Sequence, residues 1–323
     1  MSSREPDADA CFAQRREAAV ASVVARIRAV YGRWRRDTPV AQMRADWDAL
    51  FAGPVDAAIE PVTTDGSPGV PCEWVAAPGA RCDRVVVYFH GGGFRVGSTA
   101  SHRGLMASLS AASGARVLGV GYRLAPEHRH PAALEDALSV LDWLSRLGIP
   151  AGQVAVAGDS AGAGLALAAL LAMQAEGRAL PAAGYLMSAW TDLSASGASY
   201  GTRAVSDPIH DRRMILAMAQ GYLPDGADPR DPLASPLFAT DAQLAALPPL
   251  LLQAGDRETV LSDTEDFAAR ARAAGVQVQC QVWPGMIHVF QQFPDELAEA
   301  RTALAAGGKF LAARLGCTRE SAT

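Results

Sequence analysis

Residues 154–162 read VAVAGDSAG, a short apolar run that leads into a serine with a glycine two positions to either side. The apolar run is typical of a buried strand, and residues 161–175 are so rich in alanine and leucine that they indicate a helix. A serine at such a strand-to-helix turn is the arrangement of a nucleophile whose hydroxyl stands exposed above a sheet. We therefore predict that Ser160 is a catalytic nucleophile rather than an ordinary surface serine.

Strands and helices are predicted to alternate on both sides of this turn. The further strands, which are short and mostly apolar, are predicted at residues 84–89, 115–122, 182–187, 249–254 and 276–283. The further helices are predicted at residues 101–112, 131–147, 262–274 and 296–315, the third of which is opened by a capping box of Ser262 and Glu265. This alternation indicates an α/β fold in which a mostly parallel central sheet carries helices on both faces.

Two segments interrupt this alternation. Residues 11–50 show helical spacing of apolar residues with a break at Pro39, and residues 190–235 are rich in Asp, Ser, Gly and Pro, with one amphipathic helix at 212–222. Several large side chains in these segments could line a pocket, but we interpret them as the segments' own core. They are Tyr31, Trp34, Trp47, Tyr200, Met214, Met218 and Tyr222.

A second motif, His90-Gly-Gly-Gly-Phe94, directly follows the strand predicted at 84–89. Consecutive glycines leave backbone N–H groups unobstructed, and such donors stabilise the oxyanion that forms when a carbonyl group is attacked. A loop of this kind supplies one part of an oxyanion hole, and the N–H of the residue after the nucleophile, here Ala161, supplies the other. The alternative is a flexible glycine turn, and the order of the two motifs argues against it.

His288 is the last histidine of the chain and lies in a loop after a predicted strand. In this kind of fold the base comes from a loop at the same edge of the sheet, and it follows the acid in chain order. The other histidines precede every carboxylate of the loop that follows residues 249–254; they are His90, His102, His128, His130 and His210. We therefore predict that His288 is the general base.

The acid that orients His288 is less sharply defined. The loop after residues 249–254 holds Asp256 and Glu258, and either carboxylate could orient the imidazole ring and stabilise its protonated form. Asp263 falls in the first turn of the next helix, where its interaction with the helix dipole suffices to explain it. Spacing alone leaves Asp256 and Glu258 open.

The net charge, the cysteine pattern and the apolar runs of the 323-residue chain argue against several other classes of protein. Its net charge is −5, and the arginines near the start have the spacing of a solvated helix face, so no nucleic-acid partner is predicted. Its five cysteines form no Cys-x-x-Cys pair, so no zinc site or redox motif is predicted. The chemistry predicted for Ser160 and His288 needs no metal and no cofactor. We see no secretory signal and no apolar run long enough for a membrane span, and therefore expect a cytoplasmic protein without a membrane partner.

Together these motifs resemble the bacterial branch of the hormone-sensitive lipase family of esterases. The resemblance extends from Val85 to Phe290 and includes YRLAPE at 122–127, SAWTDL at 188–193 and DPLASPL at 231–237. It implies the α/β-hydrolase fold, with a core and a helical cap. The core would comprise residues 51–189 and 233–323, and the cap residues 1–50 and 190–232.

The resemblance also implies roles for single residues. The oxyanion donors would be the N–H groups of Gly92, Gly93 and Ala161. The family places the acid of its triad in a D-x-L-x-D pattern, and Glu258 stands at that position here, where an aspartate is commoner. Asp159 would brace the loop around the nucleophile.

The function implied by the resemblance is a serine carboxylesterase that hydrolyses short- to medium-chain esters through an acyl-enzyme. Its partner would be a small-molecule ester, and a homodimer through the late strand and the final helix is expected from the family. A lactonase, deacetylase or amidase would use the same three residues. A non-catalytic small-molecule receptor is disfavoured, because such relatives typically lose the histidine.

Overall fold

The computed structural model of the protein describes residues 8–63 and 69–317. The strands in these residues are β1 (Ala58–Thr63), β2 (Pro71–Ala76), β3 (Arg81–Phe89), β4 (Ala115–Val120), β5 (Val154–Asp159), β6 (Gly184–Met187), β7 (Leu250–Gly255) and β8 (Val278–Trp283). The α-helices are α1 (Ala8–Tyr31), α2 (Val40–Leu50), α3 (Thr99–Ser113), α4 (Ala132–Arg146), α5 (Ala161–Ala175), α6 (Ser199–Thr202), α7 (Arg212–Tyr222), α8 (Asp241–Ala245), α9 (Leu261–Ala273) and α10 (Ala298–Leu315).

All of these strands belong to one sheet, in the order β1-β2-β4-β3-β5-β6-β7-β8. From β4 to β8 neighbouring strands are parallel, whereas β1 pairs antiparallel with β2, and β2 with β4. The predicted mostly parallel sheet flanked by helices is therefore confirmed. The sequence pattern missed β1 and β2. β1 contains Glu60 and Pro61, which are uncommon in strands, and it lies at the edge of the sheet, where they are tolerated.

The two faces of β3 show why residues 85–89 of this strand are all apolar. Val85, Val87 and Phe89 pack into the apolar cluster that contains α4 and α5, whereas Val86 and Tyr88 pack into the cluster that contains α3 and α10. Side chains alternate between the two faces of a strand, so a strand covered by helices on both faces must be apolar throughout. The continuous apolar run that predicted this strand has the same cause.

Helix α5 follows the serine turn and lies inside the molecule. Every residue from Ala161 to Met173 is buried, and a helix that is apolar on all sides belongs in an interior. The start of α5, and with it Ser160, is thereby anchored in the core. Among the described residues no helix is both long enough and apolar enough to cross a membrane.

The two segments that interrupt the alternation lie against loops at the carboxyl ends of the strands. Apolar residues of α1 and α2 pack in one cluster with Met286, Ile287 and Phe290, which follow β8. In the second segment, the ring of Tyr222 stacks on Phe94 of the glycine loop with a centroid separation of 3.7 Å. The division of the chain into a cap and a core stays a prediction.

The predicted capping box of Ser262 and Glu265 is wrong. Helix α9 begins one residue earlier, at Leu261, and its N-cap is Val260, which makes no side-chain cap. The Ser262 hydroxyl instead accepts a hydrogen bond from the Ser199 N–H at 2.7 Å, and the Ser262 N–H donates to the Ser199 hydroxyl at 2.9 Å. The hydroxyl and N–H groups of Ser262 therefore bind Ser199, which is distant in sequence, instead of capping helix α9.

The tight packing behind Ser160 can be tested with glycine substitutions. A Cβ atom at Gly162 would lie 2.0 Å from the Phe89 carbonyl oxygen and 2.4 Å from that of His90, and neither backbone atom can move freely. We expect Gly162→Ala to lower the free energy of unfolding by about 3 kcal/mol or more, as measured by urea denaturation.

The matched control for that substitution is Gly152→Ala, where an added Cβ would meet nothing within 4 Å. Its free energy of unfolding should stay within about 1 kcal/mol of the unmodified protein. Equal losses in the two variants would contradict the packing argument.

Candidate active site

Ser160 occupies the turn between β5 and α5 with a φ of 52°, a left-handed value that residues other than glycine rarely adopt. Hydrogen bonds to the next strand hold this conformation: the Ser160 N–H donates to the Met187 carbonyl at 2.8 Å, and the Ser160 carbonyl accepts from the Trp190 N–H at 3.1 Å. A strained backbone persists only where its surroundings enforce it, and such strain clusters at functional sites.

His288 reaches the serine from the loop after β8. Its Nε2 atom lies 2.9 Å from the Ser160 hydroxyl oxygen, and its Nδ1 atom lies 2.7 Å from Glu258 Oε2. An ionised carboxylate can only accept hydrogen bonds, so a neutral ring carries its proton on Nδ1 and presents the Nε2 lone pair to the serine. This is the arrangement in which a histidine can remove the proton of a hydroxyl group.

Glu258 is fully buried at the end of β7. Besides His288, it meets two donors through Oε1: the Ser188 hydroxyl at 2.8 Å and the Gly255 N–H. The Ser188 hydroxyl oxygen also accepts from the Val289 N–H at 2.9 Å, so it connects the acid to the residue after His288. Because buried charge is tolerated only when it is paired and hydrogen-bonded, these partners allow a carboxylate at this depth.

The other acidic residues of this region point elsewhere. Asp256 Oδ1 accepts from the Gly285 N–H at 2.7 Å and makes no contact with His288. Asp263 Oδ2 accepts from the N–H groups of Thr191 and Asp192 at 2.9 Å. Of the two carboxylates that spacing left open, the structure brings Glu258, and not Asp256, to the histidine.

The glycine loop after β3 lies beside Ser160. Gly92 and Gly93 have φ values of 115° and 62°, and a Cβ atom at Gly93 would lie 2.4 Å from Met218 Sδ. Within residues 8–63 and 69–317, the N–H groups of Gly92, Gly93 and Ala161 have no hydrogen-bond acceptor. Backbone donors with no acceptor of their own are suited to binding an oxyanion.

Asp159 joins the glycine loop to the serine turn. Its buried carboxylate accepts hydrogen bonds from the Gly91 N–H at 2.9 Å and from the Tyr88 hydroxyl at 2.6 Å. The predicted bracing role of Asp159 therefore matches the position of its side chain.

Comparisons with known proteins agree on the family. A family model described as the alpha/beta hydrolase fold matches residues 86–292. An acetyl-hydrolase of Streptomyces hygroscopicus is 43% identical over 244 residues, which cover 76% of this chain and 80% of that protein. An esterase of Acinetobacter venetianus is 35% identical over 226 residues, which cover 70% of this chain and 74% of that protein.

A solved structure of an esterase from the bacterial hormone-sensitive lipase family has a TM-score of 0.87 and 40% identity to this chain, and the match covers 93% of this chain and 99% of the other. The chain belongs to the bacterial hormone-sensitive lipase family. This hormone-sensitive lipase family member is a carboxylic ester hydrolase with the α/β-hydrolase fold, as the sequence motifs predicted.

A cavity of about 270 Å³ opens above Ser160 in this esterase. Much of its wall consists of large apolar side chains from the two interrupting segments, namely Tyr31, Trp34, Trp47, Met214 and Met218. The interpretation of these side chains as core rather than pocket lining is therefore incomplete: all five line the cavity, and Trp47 also belongs to the apolar cluster of α1 and α2, against which Tyr31 and Trp34 pack. Tyr200 and Tyr222 do pack into the main apolar core. Helical spacing identifies an apolar face of a helix. Only the tertiary structure shows that α1 and α2 lie across a cavity from α7, so that these apolar faces line it.

Sequence reasoning missed two further polar residues of the site. Ser188, which holds Glu258, carries one signal: it directly follows β6 and begins the SAWTDL motif. The ring of His210 packs against His288 with a centroid separation of 4.8 Å. His210 has no local signature, because a single histidine in an irregular segment cannot be assigned to a site without its neighbours.

The electrostatics of His288 combine two opposing effects. Burial lowers its pKa, but the charge of Glu258 and the hydrogen bond to it, with smaller contributions from Asp207 and Asp159, outweigh burial and raise the pKa above the ordinary value of histidine. The ring must be neutral to accept a proton. The rate of hydrolysis that depends on this base is therefore at its maximum above the raised pKa of His288, and it falls as the pH is lowered through that pKa.

Replacing the acid should move that pH dependence. In Glu258→Gln the carboxylate is gone and burial dominates, so the pKa of His288 falls and the acid limb of kcat/KM moves to lower pH. We also expect the plateau to fall by about 10²–10⁴-fold, because the protonated ring is no longer stabilised. The measurement is the pH profile of p-nitrophenyl acetate hydrolysis.

Asp256→Asn is the control for that experiment, since Asp256 is an acidic residue of the same loop that does not contact His288. Its acid limb should coincide with that of the unmodified enzyme. If the acid limb moved in Asp256→Asn and stayed in place in Glu258→Gln, the acid would be Asp256 and the assignment of Glu258 would be wrong.

Proposed function

We propose that this esterase is a serine carboxylesterase that hydrolyses short- to medium-chain esters through an acyl-enzyme. The observation that carries the proposal is the continuous hydrogen-bonded chain from Glu258 through His288 to the Ser160 hydroxyl. Three residues from three separate loops meet in the geometry that nucleophilic catalysis by a serine requires.

In the acylation half of the reaction, the Ser160 oxygen attacks the ester carbonyl carbon while His288 Nε2 takes the hydroxyl proton. The carbonyl oxygen becomes an oxyanion and accepts hydrogen bonds from the N–H groups of Gly92, Gly93 and Ala161. The carbon–oxygen bond to the alcohol then breaks, and His288 gives its proton to the departing alcohol oxygen. The acyl group remains bound to Ser160 as an ester.

In the deacylation half, water takes the place of the alcohol. His288 Nε2 accepts a proton from the water as its oxygen attacks the acyl carbon, and the same N–H groups bind the second oxyanion. The bond to Ser160 breaks, the serine oxygen regains a proton from His288, and a carboxylic acid leaves. Throughout, Glu258 holds the ring orientation and stabilises the protonated imidazole.

The size and lining of the cavity support the proposed range of acyl chains. An apolar space of about 270 Å³ that is bounded by bulky aromatic side chains favours short and medium chains over long ones. The relative from Streptomyces hygroscopicus, which is named an acetyl-hydrolase, supports the same end of the range.

We also propose that residues 8–50 and 190–232 act as the cap of this site, because α1, the turn after it, α2 and α7 contribute to the cavity wall above Ser160. Residues 1–7 of the predicted cap lie outside the described residues. The cytoplasmic location and the homodimer that the sequence suggested stay predictions.

The nucleophile and base can be tested by substitution. Ser160→Ala and His288→Ala should each lower kcat for p-nitrophenyl acetate by about 10⁴-fold or more, because either change removes the attacking group or its activation. Ser108→Ala is a matched control, since this half-buried serine lies outside the cavity above Ser160 and its hydroxyl donates to the Gly104 carbonyl. A loss below tenfold in Ser160→Ala would sink the assignment of the nucleophile.

The acyl-chain preference can be measured with p-nitrophenyl esters from acetyl to decanoyl. We expect kcat/KM to peak at a short or medium chain and to decline at decanoyl, because a longer chain must displace the aromatic wall. A rate that rises steadily to decanoyl would contradict the proposed substrate range.

A further inference from the structure

His210 stands next to the proposed triad without belonging to it. It lies between α6 and α7, it lines the cavity above Ser160, and its ring meets that of His288 edge to face, with an interplanar angle of 85°. Neither ring nitrogen of His210 forms a hydrogen bond with any residue in the part of the chain that the structure describes. The ring is therefore a polar group of the site that the reaction steps do not use.

The ring is held in place through its backbone. The His210 N–H donates to Asp207 Oδ1 at 2.9 Å, and Asp207 Oδ2 accepts from the Thr259 N–H at 2.8 Å. Thr259 directly follows Glu258, so one buried carboxylate joins the segment of His210 to the loop of the triad acid. The position of the His210 ring relative to His288 is thereby set by the same loop that positions the acid.

The His210 ring is neutral near pH 7. Burial lowers its pKa to about 4, with a further lowering from His288 that the carboxylates of Asp207 and Asp211 oppose. A neutral imidazole carries one N–H donor and one acceptor nitrogen. Nδ1 is buried without a partner among the described residues, whereas Nε2 is not buried, so Nε2 is the nitrogen that a ligand can reach.

The chemistry of the proposed function places one part of the substrate beside this ring. His288 Nε2 must deliver its proton to the departing alcohol oxygen, so the alcohol portion of the ester lies on the His288 side of the carbonyl. The glycine loop binds the carbonyl oxygen on another side. Because His210 packs against His288, it is placed to meet the alcohol portion and not the oxyanion.

Beyond His210 the surroundings become more polar. A second, more open pocket of about 540 Å³ includes Arg28, Asp207 and Asp211 in its lining. The two pockets share a wall that consists of Tyr31, Trp34, Ile209, His210 and Met214. The ring of His210 therefore stands between the apolar cavity above Ser160 and a pocket whose lining includes charged side chains.

We propose that His210 is a specificity-determining residue that hydrogen-bonds to a hydroxyl group on the alcohol portion of the substrate. A hydroxyl both donates and accepts, so it suits either tautomer of a neutral imidazole. The preferred substrates are then short acyl esters of polyhydric alcohols, and plain alkyl esters leave the ring without a partner. This inference rests on the proposed function and names its substrate class.

The test compares 2-hydroxyethyl acetate with propyl acetate, which have the same acyl group and the same number of non-hydrogen atoms. The readout is the ratio of their kcat/KM values, so a general loss of activity or of folded protein cancels. We expect the unmodified enzyme to favour the hydroxylated ester and His210→Phe, which keeps an aromatic ring against His288, to lower the ratio about tenfold. His210→Gln, which keeps a donor and an acceptor, should retain most of the preference.

The outcomes separate this inference from the proposed function. An enzyme that hydrolyses p-nitrophenyl acetate in a Ser160-dependent manner but shows no preference for the hydroxylated ester overturns the role of His210 and leaves the serine esterase standing. An unchanged ratio in His210→Phe, or in His210→Leu if the first variant does not fold, overturns it equally. An enzyme that cleaves none of these esters overturns both.

Discussion

The close approach of backbone at the Ser160 turn is the constraint on which the site depends. Helix α5 can begin directly behind the serine only because Gly162 lies against the carbonyl groups of Phe89 and His90, where a side chain would collide. That contact ties the turn after β5 to the end of β3. The nucleophile and the glycine loop consequently lie together before any catalytic contact is considered, and Asp159 adds a hydrogen bond across the same junction.

Two carboxylates that lie close in sequence, Glu258 and Asp263, are equally buried but have different neighbours. Glu258 faces a histidine, a hydroxyl group and a backbone N–H, so its charge is balanced where it is buried. Asp263 is equally deep, and burial together with the nearby Asp192 raises its pKa well above the usual range. The two residues differ in their neighbours and not in their depth. Glu258 can therefore stabilise a protonated His288, whereas Asp263 binds the backbone N–H groups of residues 191–192.

The wall of the cavity above Ser160 comes from two separate helical segments. Tyr31, Trp34 and Trp47 come from the N-terminal helices and the turn between them, whereas Met214 and Met218 come from α7, and the space above Ser160 lies between the two groups. Apolar walls on both sides leave few polar contacts for a substrate. A single ring such as His210 therefore has a large influence on which esters fit, because an unmatched polar group in an apolar site costs free energy.

The sequence by itself determined the parallel sheet, the serine turn, the glycine loop and the late histidine. Each of these depends on local patterns: continuous apolar strands, glycines where the backbone must approach closely, and the order of motifs along the chain. The edge strand β1 was not predicted, because its composition is not typical of a strand. Residue spacing alone did not distinguish Asp256 from Glu258 as the acid.

The family resemblance favoured Glu258, but only the tertiary structure shows which of the two carboxylates reaches His288, because residues two positions apart at the end of a strand can point to different neighbours. The same holds for Ser188, for the hydrogen bonds of Ser262 and for the aromatic wall of the cavity. Their partners are distant in sequence, as Ser188 and Glu258 are 70 positions apart. A local pattern identifies which side chains are available, whereas the packing of the whole chain determines what each of them meets.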